Sequence, residues 1–176
     1  MDQPNITNHK AVTVSSGIVL GIDPGAHGAI ARLDVVHGLF TVDDMPTALV
    51  KVGKGNKTRI MVSLLAQLIR YDRPDHAYIE AVSARPGQGV TSVFAFGQVL
   101  GQIEGVLAAL GVPVTYVQPR AWKKAFSLSA DKGTSRARAM QLWPAQAALF
   151  ARVKDDGRAE AALIGLYGLR QQTLQG

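Results

Sequence analysis

The stretch that decides the fold is residues 16–25, Ser-Gly-Ile-Val-Leu-Gly-Ile-Asp-Pro-Gly, together with the second apolar run at residues 29–34 that follows it. β-Branched and apolar residues dominate both runs, and the Asp-Pro-Gly sequence between them is typical of a turn. The pattern predicts a β-hairpin whose first strand is buried. Asp23 then lies at the end of that strand.

The rest of the chain adds further strands and amphipathic helices around this hairpin. Apolar spacing predicts strands at residues 40–44, 77–82 and 114–117, and helices at residues 59–71, 91–110, 121–126, 135–143 and 160–169. Residues 51–57 are rich in Gly and Lys, which predicts a loop whose basic side chains could touch phosphate. Strands followed by flanking helices indicate an α/β fold.

Length and composition limit the classes of protein to consider. A chain of 176 residues fits one domain, and we expect a disordered lead-in at residues 1–16, the domain at 17–170 and a tail at 171–176. The absence of cysteine excludes disulfides and thiolate metal sites, and suits a cytoplasmic protein. The amino-terminal residues do not have the pattern of a secretory signal. Residues 86–103 carry no formal charge, but their glutamines argue against a membrane span.

The charge balance indicates a partner that is a polyanion. Nineteen Lys and Arg residues stand against thirteen Asp and Glu residues, a formal net charge of +6. A basic surface attracts nucleic acid, and a few carboxylates gathered on it are well suited to hold Mg²⁺. The leading hypothesis is therefore a nuclease.

Two acidic residues end predicted strands. Asp23 is braced by Pro24 and nearby glycines, which would place a metal ligand rigidly, although an Asp in this sequence can equally be an ordinary turn residue. Glu80 lies within the apolar run Tyr-Ile-Glu-Ala-Val, where an unpaired carboxylate would be costly to bury. A strand end at a cleft, or a partly exposed sheet edge, would solve that problem.

A third acidic element is Asp155, Asp156 and Glu160. If a helix begins near Gly157, Asp156 and Glu160 are one turn apart and can face the same point. Acidic residues also favour helix starts for purely structural reasons, through the helix macrodipole. The sequence leaves open whether Asp155 or Asp156 is the ligand.

Five motifs in this order resemble the RuvC-type Holliday-junction resolvases, on the phage and plasmid branch of that family. They are Gly21-Ile22-Asp23-Pro24-Gly25, Ile79-Glu80, the helix with Phe94-x-Phe96-Gly97-Gln98, Pro119-x-x-Trp122-Lys123 and Lys154-Asp155-Asp156-Gly157-Arg158-Ala159-Glu160-Ala161. The resemblance implies a ribonuclease H-like fold, with a mixed five-stranded sheet flanked by helices. It also implies a homodimer that nicks opposing strands of a four-way or branched DNA symmetrically, leaving 5′-phosphate and 3′-hydroxyl ends.

The resemblance also implies roles for individual residues. Asp23, Glu80, Asp156 and Glu160 would hold two Mg²⁺ ions, for which Mn²⁺ could substitute, with Asp155 as the alternative to Asp156. Lys123, Lys124, Lys132 and Arg136 match basic positions that contact DNA, although each alone could be a solvated surface charge. The final acidic pair is spaced i to i+4 here, whereas the housekeeping resolvases have i to i+3.

Other interpretations fit part of the sequence. The sugar kinase, actin and Hsp70 group begins with a similar hairpin but needs a far longer chain. A DNA-binding scaffold that does not cleave would keep the basic surface, and a ribonuclease H-type enzyme acting on RNA–DNA hybrids would share the metal site. Gly97, Gly101 and Gly105 form a smooth strip on the long helix, which could be a dimer seam or could pack against the sheet.

Overall fold

The computed structural model describes residues 17–34, 40–83, 87–129, 131 and 133–175. The predicted lead-in at 1–16 and Lys132 therefore lie outside the described residues. In chain order the strands are β1 (Ile18–Asp23), β2 (Ala29–Asp34), β3 (Phe40–Asp44), β4 (Thr47–Val52), β5 (Gly55–Ile60), β6 (His76–Glu80) and β7 (Val114–Val117). The α-helices are α1 (Val62–Asp72), α2 (Val90–Ala109), α3 (Pro119–Ala125), α4 (Gly133–Leu142) and α5 (Asp156–Gln175), with short 3-10 helices at Pro144–Phe150 and Val153–Asp155.

The main sheet has five strands in the order β3-β2-β1-β6-β7. β1 pairs with β2, and β2 with β3, in antiparallel fashion, whereas β1–β6 and β6–β7 are parallel. This arrangement confirms the prediction of a mixed five-stranded sheet. Because β1 and β6 are parallel neighbours, their carboxyl ends lie side by side at one edge of the sheet.

Two apolar cores cover the two faces of the sheet. On one face, side chains of β1 and β2 pack with α5 and with Trp122, Phe126 and Phe150. On the other, Leu20, Ile22 and Ile30 pack with residues of α1 and α2. The alternation of side chains along β1 explains why both of its faces are buried.

Helix α5 lies unusually close to the central strand. A Cβ at Gly21 would overlap the backbone of Ala161 and Gly165, and a Cβ at Gly165 would come within 3.1 Å of the Gly21 Cα. The two glycines therefore allow backbone to approach backbone, without intervening side chains. This contact fixes the height of α5 above β1.

Two sequence predictions about elements need correction. The predicted loop at 51–57 is wrong, because residues 47–60 form the antiparallel hairpin β4–β5, separate from the main sheet. Gly53, with φ of +61°, makes a two-residue turn possible at its tip. The last helix begins at Asp156 rather than at residue 160, so both Asp156 and Glu160 are on it.

Helix α2 presents much of its apolar surface to the outside. Val99, Ile103, Val106 and Leu107 are its buried residues, whereas Phe94 is 70% exposed. Nothing lies within 4 Å of a Cβ built at Gly97, Gly101 or Gly105, so the strip does not pack against the sheet. Among the described residues α2 is also the one helix long and apolar enough to cross a membrane, judged by length and composition alone.

Candidate active site

Three carboxylates from three separate elements meet at the carboxyl edge of the sheet. Asp23 ends β1, Glu80 ends the neighbouring strand β6, and Glu160 lies in the second turn of α5. One oxygen from each carboxylate lies within 4.8 Å of the other two. Sequence positions 23, 80 and 160 are thus brought to one point by the parallel pairing of β1 and β6 and by the close approach of α5.

Carboxylates this close together repel one another when they are charged. Burial, together with the nearby Glu160 and Glu80 carboxylates, raises the pKa of Asp23 from 3.8 to about 7, and Lys123 opposes the shift. Without a cation, the site therefore holds a proton on Asp23 in much of the population at neutral pH. An added divalent cation would relieve the repulsion, and oxygen ligands are those that Mg²⁺ prefers.

Glu80 is held by a buried tryptophan. The indole Nε1–H of Trp122 donates to Glu80 Oε1 at 3.1 Å, and both residues are buried. Trp122 is fully buried in the core, and its indole N–H also orients a carboxylate of the site. The Pro119-x-x-Trp122-Lys123 motif was the signal that could have indicated this role.

Glu160 has two polar neighbours from the helices beside α5. The Ser135 hydroxyl donates to Glu160 Oε1 at 3.3 Å, and Lys123 Nζ lies 3.4 Å from the same oxygen. Lys123 also lies over the Trp122 ring, 5.0 Å from its centroid. The motif on α3 therefore contacts two of the three carboxylates.

The structure does not bring Asp156 into this cluster. Its Oδ1 accepts a hydrogen bond of 2.7 Å from Nε of Arg136, on α4. The i to i+4 spacing places Asp156 one turn from Glu160, but the side chain is directed to Arg136 instead. Arg136 is thus an ion-pair partner of a predicted ligand rather than an unpaired surface cation.

Asp155 is buried and hydrogen-bonded to Arg152, and it does not belong to the cluster. It is 1% exposed, and both of its oxygens accept hydrogen bonds from Arg152, including the backbone N–H at 2.8 Å. Burial, the largest single effect, raises the pKa of Asp155, but the hydrogen bonds from Arg152 and the charges of Arg152 and Arg158 together hold that pKa below its ordinary value. Asp155 therefore caps the turn that precedes α5.

Gly157 is a further residue of the site, and the sequence predictions assigned it no role beyond marking the helix start. A Cβ at this position would lie 2.7 Å from the carbonyl oxygen of His27 and 3.1 Å from Oδ2 of Asp23. The first turn of α5 therefore touches the Asp23 turn directly. No side chain fits between them.

One cleft reaches the cluster at Glu80, and a second lies beside it at Asp156. The Glu80 cleft is lined by Glu80, Ala81, Val82, Ser83, Gln88, Val93, Phe96, Gln118, Pro119, Arg120 and Lys123. The Asp156 cleft is lined by Ala26, His27, Gly28, Asp44, Met45, Thr47, Lys154, Asp155, Asp156 and Gly157. Lys123 borders the first cleft and Lys154 the second, so both are open to an anionic ligand.

Three of the four predicted DNA-contacting residues are described by the structure: Lys123 and Lys124 are on α3, and Arg136 is on α4. Lys123 is half-exposed beside Glu160, and Lys124 is exposed on the same helix. Arg136 is engaged with Asp156. Lys132 is outside the described residues, so its predicted role stays a prediction.

The five-stranded mixed sheet with acidic residues at its carboxyl edge defines a ribonuclease H-like protein with a carboxylate centre suited to divalent cations. No family model matches the chain. The crossover junction endodeoxyribonuclease RuvC of Nitratidesulfovibrio vulgaris (strain Hildenborough) is 32% identical over 133 residues, covering 73% of this chain and 74% of that protein. The chain belongs to the RuvC family of crossover junction endodeoxyribonucleases.

Solved structures support the same fold. Thermus thermophilus RuvC in complex with Holliday junction substrate has a TM-score of 0.59 at 14% identity, over 89% of this chain and 96% of that one. T. thermophilus RuvC in a second structure has a TM-score of 0.54 at 16% identity, over 89% and 97% of the two chains. The yeast mitochondrial Holliday junction resolvase Ydc2 has a TM-score of 0.58 at 16% identity, over 91% and 80%.

Proposed function

We propose that this protein is a divalent-metal-dependent endonuclease that resolves four-way DNA junctions in the cytoplasm. The observation that carries the proposal is the cluster of Asp23, Glu80 and Glu160. It occurs in a chain whose relative is a crossover junction endodeoxyribonuclease. The basic net charge of the chain and the cations at the clefts are consistent with a DNA substrate. We propose residues 17–170 as the nuclease domain after a lead-in at 1–16, although helix α5 continues to Gln175, through most of the segment predicted as a tail.

Asp23, Glu80 and Glu160 would hold the metal, with Mg²⁺ as the proposed ion and Mn²⁺ as a substitute. Bound there, two such ions would activate a water and stabilise the departing 3′ oxygen, leaving a 5′-phosphate and a 3′-hydroxyl. Asp156 would contribute to the second ion only after its carboxylate leaves Arg136. We retain Asp156 as a proposed ligand on that condition, and propose Asp155 as a capping residue.

Residues around the cluster would orient its carboxylates and bind the substrate. Trp122 fixes the orientation of Glu80 through its indole N–H, and Ser135 does the same for Glu160. Lys123 neutralises part of the carboxylate charge and borders the Glu80 cleft, where it would meet a phosphate. Lys124, Lys132 and Arg136 are proposed to bind phosphates farther along the DNA arms, where they would contribute affinity more than sequence preference.

The test is cleavage of a labelled four-way junction, compared with a linear duplex of matched sequence, with Mg²⁺ and with chelator. We expect paired nicks on the junction that ligase can reseal, and no cleavage with chelator. Binding without cutting would favour the scaffold interpretation. Preferential cutting of an RNA–DNA hybrid would favour a ribonuclease H-type activity.

We also propose that the protein is a homodimer that uses the glycine strip of α2. The strip is uncovered, and exposed Phe94 and Val90 lie on the same helix. Contiguous exposed apolar surface of this kind marks an interaction site, and glycines allow two helices to approach closely. A seam between two copies is our explanation for the apolar character of α2, in place of a membrane span.

Gly101→Leu is expected to weaken the dimer strongly without unfolding the monomer, because the side chain enters open space and leucine favours a helix more than glycine does. Sedimentation velocity at several protein concentrations measures the change. Gln67→Leu, which adds the same side chain at an exposed position of α1, is the control. A variant that stays as dimeric as the wild type would remove the strip from the interface.

A further inference from the structure

The hairpin β4–β5 is a basic arm that the carboxylate site does not use. Its four cations are Lys51, Lys54, Lys57 and Arg59, and no acidic residue occurs between positions 47 and 60. The three lysines are exposed, and none of them forms an ion pair with a described residue. Lys54 lies in the turn at the tip, next to Gly53.

The base of the hairpin lies beside the carboxylate edge of the sheet. The Met45 N–H donates to Gly28 O at 2.9 Å, in the turn that follows Asp23, and the Met61 N–H donates to Pro46 O at 2.8 Å. Thr47, the first residue of the hairpin, lines the Asp156 cleft. A ligand bound by the hairpin would therefore lie close to the carboxylate cluster.

The hairpin is on the opposite side of the sheet from the cations already assigned. Arg59 donates to the side-chain amide oxygen of Gln98 on α2, and Ile60 belongs to the core that α1 and α2 cover. Lys123, Lys124 and Arg136, in contrast, are on α3 and α4, and these two helices pack against α5 on the other face. Basic side chains thus flank the carboxylate edge from both faces of the sheet.

We propose that the β4–β5 hairpin binds the phosphate backbone of one arm of the branched DNA, as a second contact surface separate from α3 and α4. This inference rests on the proposed function, since it supposes a branched DNA substrate. A six-residue strand spans about 20 Å, so lysines placed along the hairpin and at its tip can follow several successive phosphates. Both faces of the hairpin carry lysine, because Lys51 and Lys57 point to opposite sides of the ribbon.

Charge favours DNA over a second copy of the chain as the occupant of this surface. The chain has a net charge of +6, so two copies joined through their most basic hairpins would repel each other. The apolar side chains Leu49, Val50 and Val52 are exposed on the same hairpin and can pack against deoxyribose between the phosphate contacts. A separate apolar surface on α2 is available for a second copy.

The first test is the salt dependence of junction binding, measured with chelator present so that no cleavage occurs. The variant Lys51→Gln, Lys54→Gln, Lys57→Gln should bind more weakly, and the slope of log K against log salt should fall by about 2 to 3, since each phosphate contact contributes about 0.9. Lys54→Gln alone should lower the slope by about 1.

Arg70→Gln is the matched control for Lys54→Gln. Arg70 is exposed in the last turn of α1, and the chain just after this helix meets the start of β1, where the Asp75 N–H donates to Ile18 O. The substitution therefore removes one exposed charge at the end of the sheet opposite the carboxylates. Its slope should equal that of the wild type, and an equal loss in both variants would mean a nonspecific charge effect that overturns the proposal.

A second test does not depend on losing charge. The chain has no cysteine, so Lys54→Cys and Arg70→Cys each introduce a single thiol. Junction DNA whose arm phosphate carries a tether ending in a mixed disulfide should exchange with the thiol of Lys54→Cys, releasing the small thiol and forming a cross-link, and should not do so with Arg70→Cys. Equal cross-linking of both, or of neither while the DNA is bound, would overturn the proposal.

The two proposals fail in different ways. If the wild type neither binds nor cleaves the junction, the proposed function fails. If the wild type cleaves, but the triple variant keeps the wild-type salt slope, only the hairpin proposal fails. A triple variant that binds DNA normally but changes its oligomeric state would make the hairpin a subunit contact.

Discussion

Asp23→Asn is expected to abolish junction cleavage and to stabilise the metal-free protein at the same time. Loss of a carboxylate that holds metal removes several kcal/mol of transition-state stabilisation, which corresponds to a rate loss of about 10³-fold or more. Junction binding should remain, because the phosphate contacts are untouched. Single-turnover cleavage with Mg²⁺ and equilibrium binding with chelator measure the two effects.

The stability gain has a definite pH dependence. The pKa of Asp23 is about 7 in the folded protein and about 3.8 when unfolded, so between these values the unfolded state binds fewer protons and wild-type stability falls as pH rises. Asparagine does not titrate. The advantage of Asp23→Asn should therefore grow from pH 4 to pH 7 and stay constant above, reaching as much as about 4 kcal/mol at 1.36 kcal/mol per pKa unit.

Denaturant unfolding at pH 5 and pH 8, with chelator, measures this difference. Glu104→Gln, which neutralises a carboxylate on α2 outside the cluster, is the control and should retain cleavage. Added Mg²⁺ should stabilise the wild type and have a smaller effect on Asp23→Asn. Full cleavage by Asp23→Asn would remove this residue from the site, and a gain independent of pH would contradict the repulsion between the carboxylates.

Gly157→Ala is expected to cost at least about 10²-fold in cleavage rate while DNA binding persists. The added methyl group would lie 2.7 Å from His27 O and 3.1 Å from Asp23 Oδ2, so the first turn of α5 or the Asp23 turn must move. Displacement of reacting groups by about 1 Å is enough for a loss of this size. The measurement is single-turnover cleavage at saturating protein and Mg²⁺, at a temperature where the variant is folded.

Gly168→Ala separates this effect from general overpacking. A Cβ at Gly168, also on α5, would overlap the ring of Tyr78, away from the carboxylates. It should lower the free energy of unfolding by about 1 to 3 kcal/mol, but the folded enzyme should cleave at the wild-type rate. If Gly157→Ala lost stability alone, as Gly168→Ala is expected to, the contact of α5 with Asp23 would have no bearing on catalysis.

The sheet could be predicted from the sequence because its strands carry local signals. The apolar runs around Ile22 and Ile79 have the length and β-branched composition of buried strands, and each ends at a carboxylate. The hairpin at 47–60 could not be predicted in this way. Its lysines are typical of a loop, and the pairing that makes it a hairpin joins Val50 to Lys57 rather than two apolar residues.

The identity of the site residues could be predicted from the sequence better than their spatial arrangement. Asp23, Glu80 and Glu160 were expected to be functional, and the structure brings all three together. The sequence could not separate the roles of Asp155, Asp156 and Glu160, because that depends on which way each side chain leaves the helix start. Asp155 and Asp156 are directed by their ion-pair partners, Arg152 and Arg136. The sequence around these arginines does not indicate which acidic residue each of them binds.

The contact between Gly21 and Gly165 has a consequence for how the enzyme should lose activity on heating. Glu160 is carried by a helix that is seated main chain against main chain on the central strand, in the middle of an apolar core. Helix α5 cannot detach partly from β1, since any separation of the two opens the apolar core. Inactivation by heat should therefore coincide with global unfolding, and the carboxylate cluster should remain intact until the whole domain unfolds.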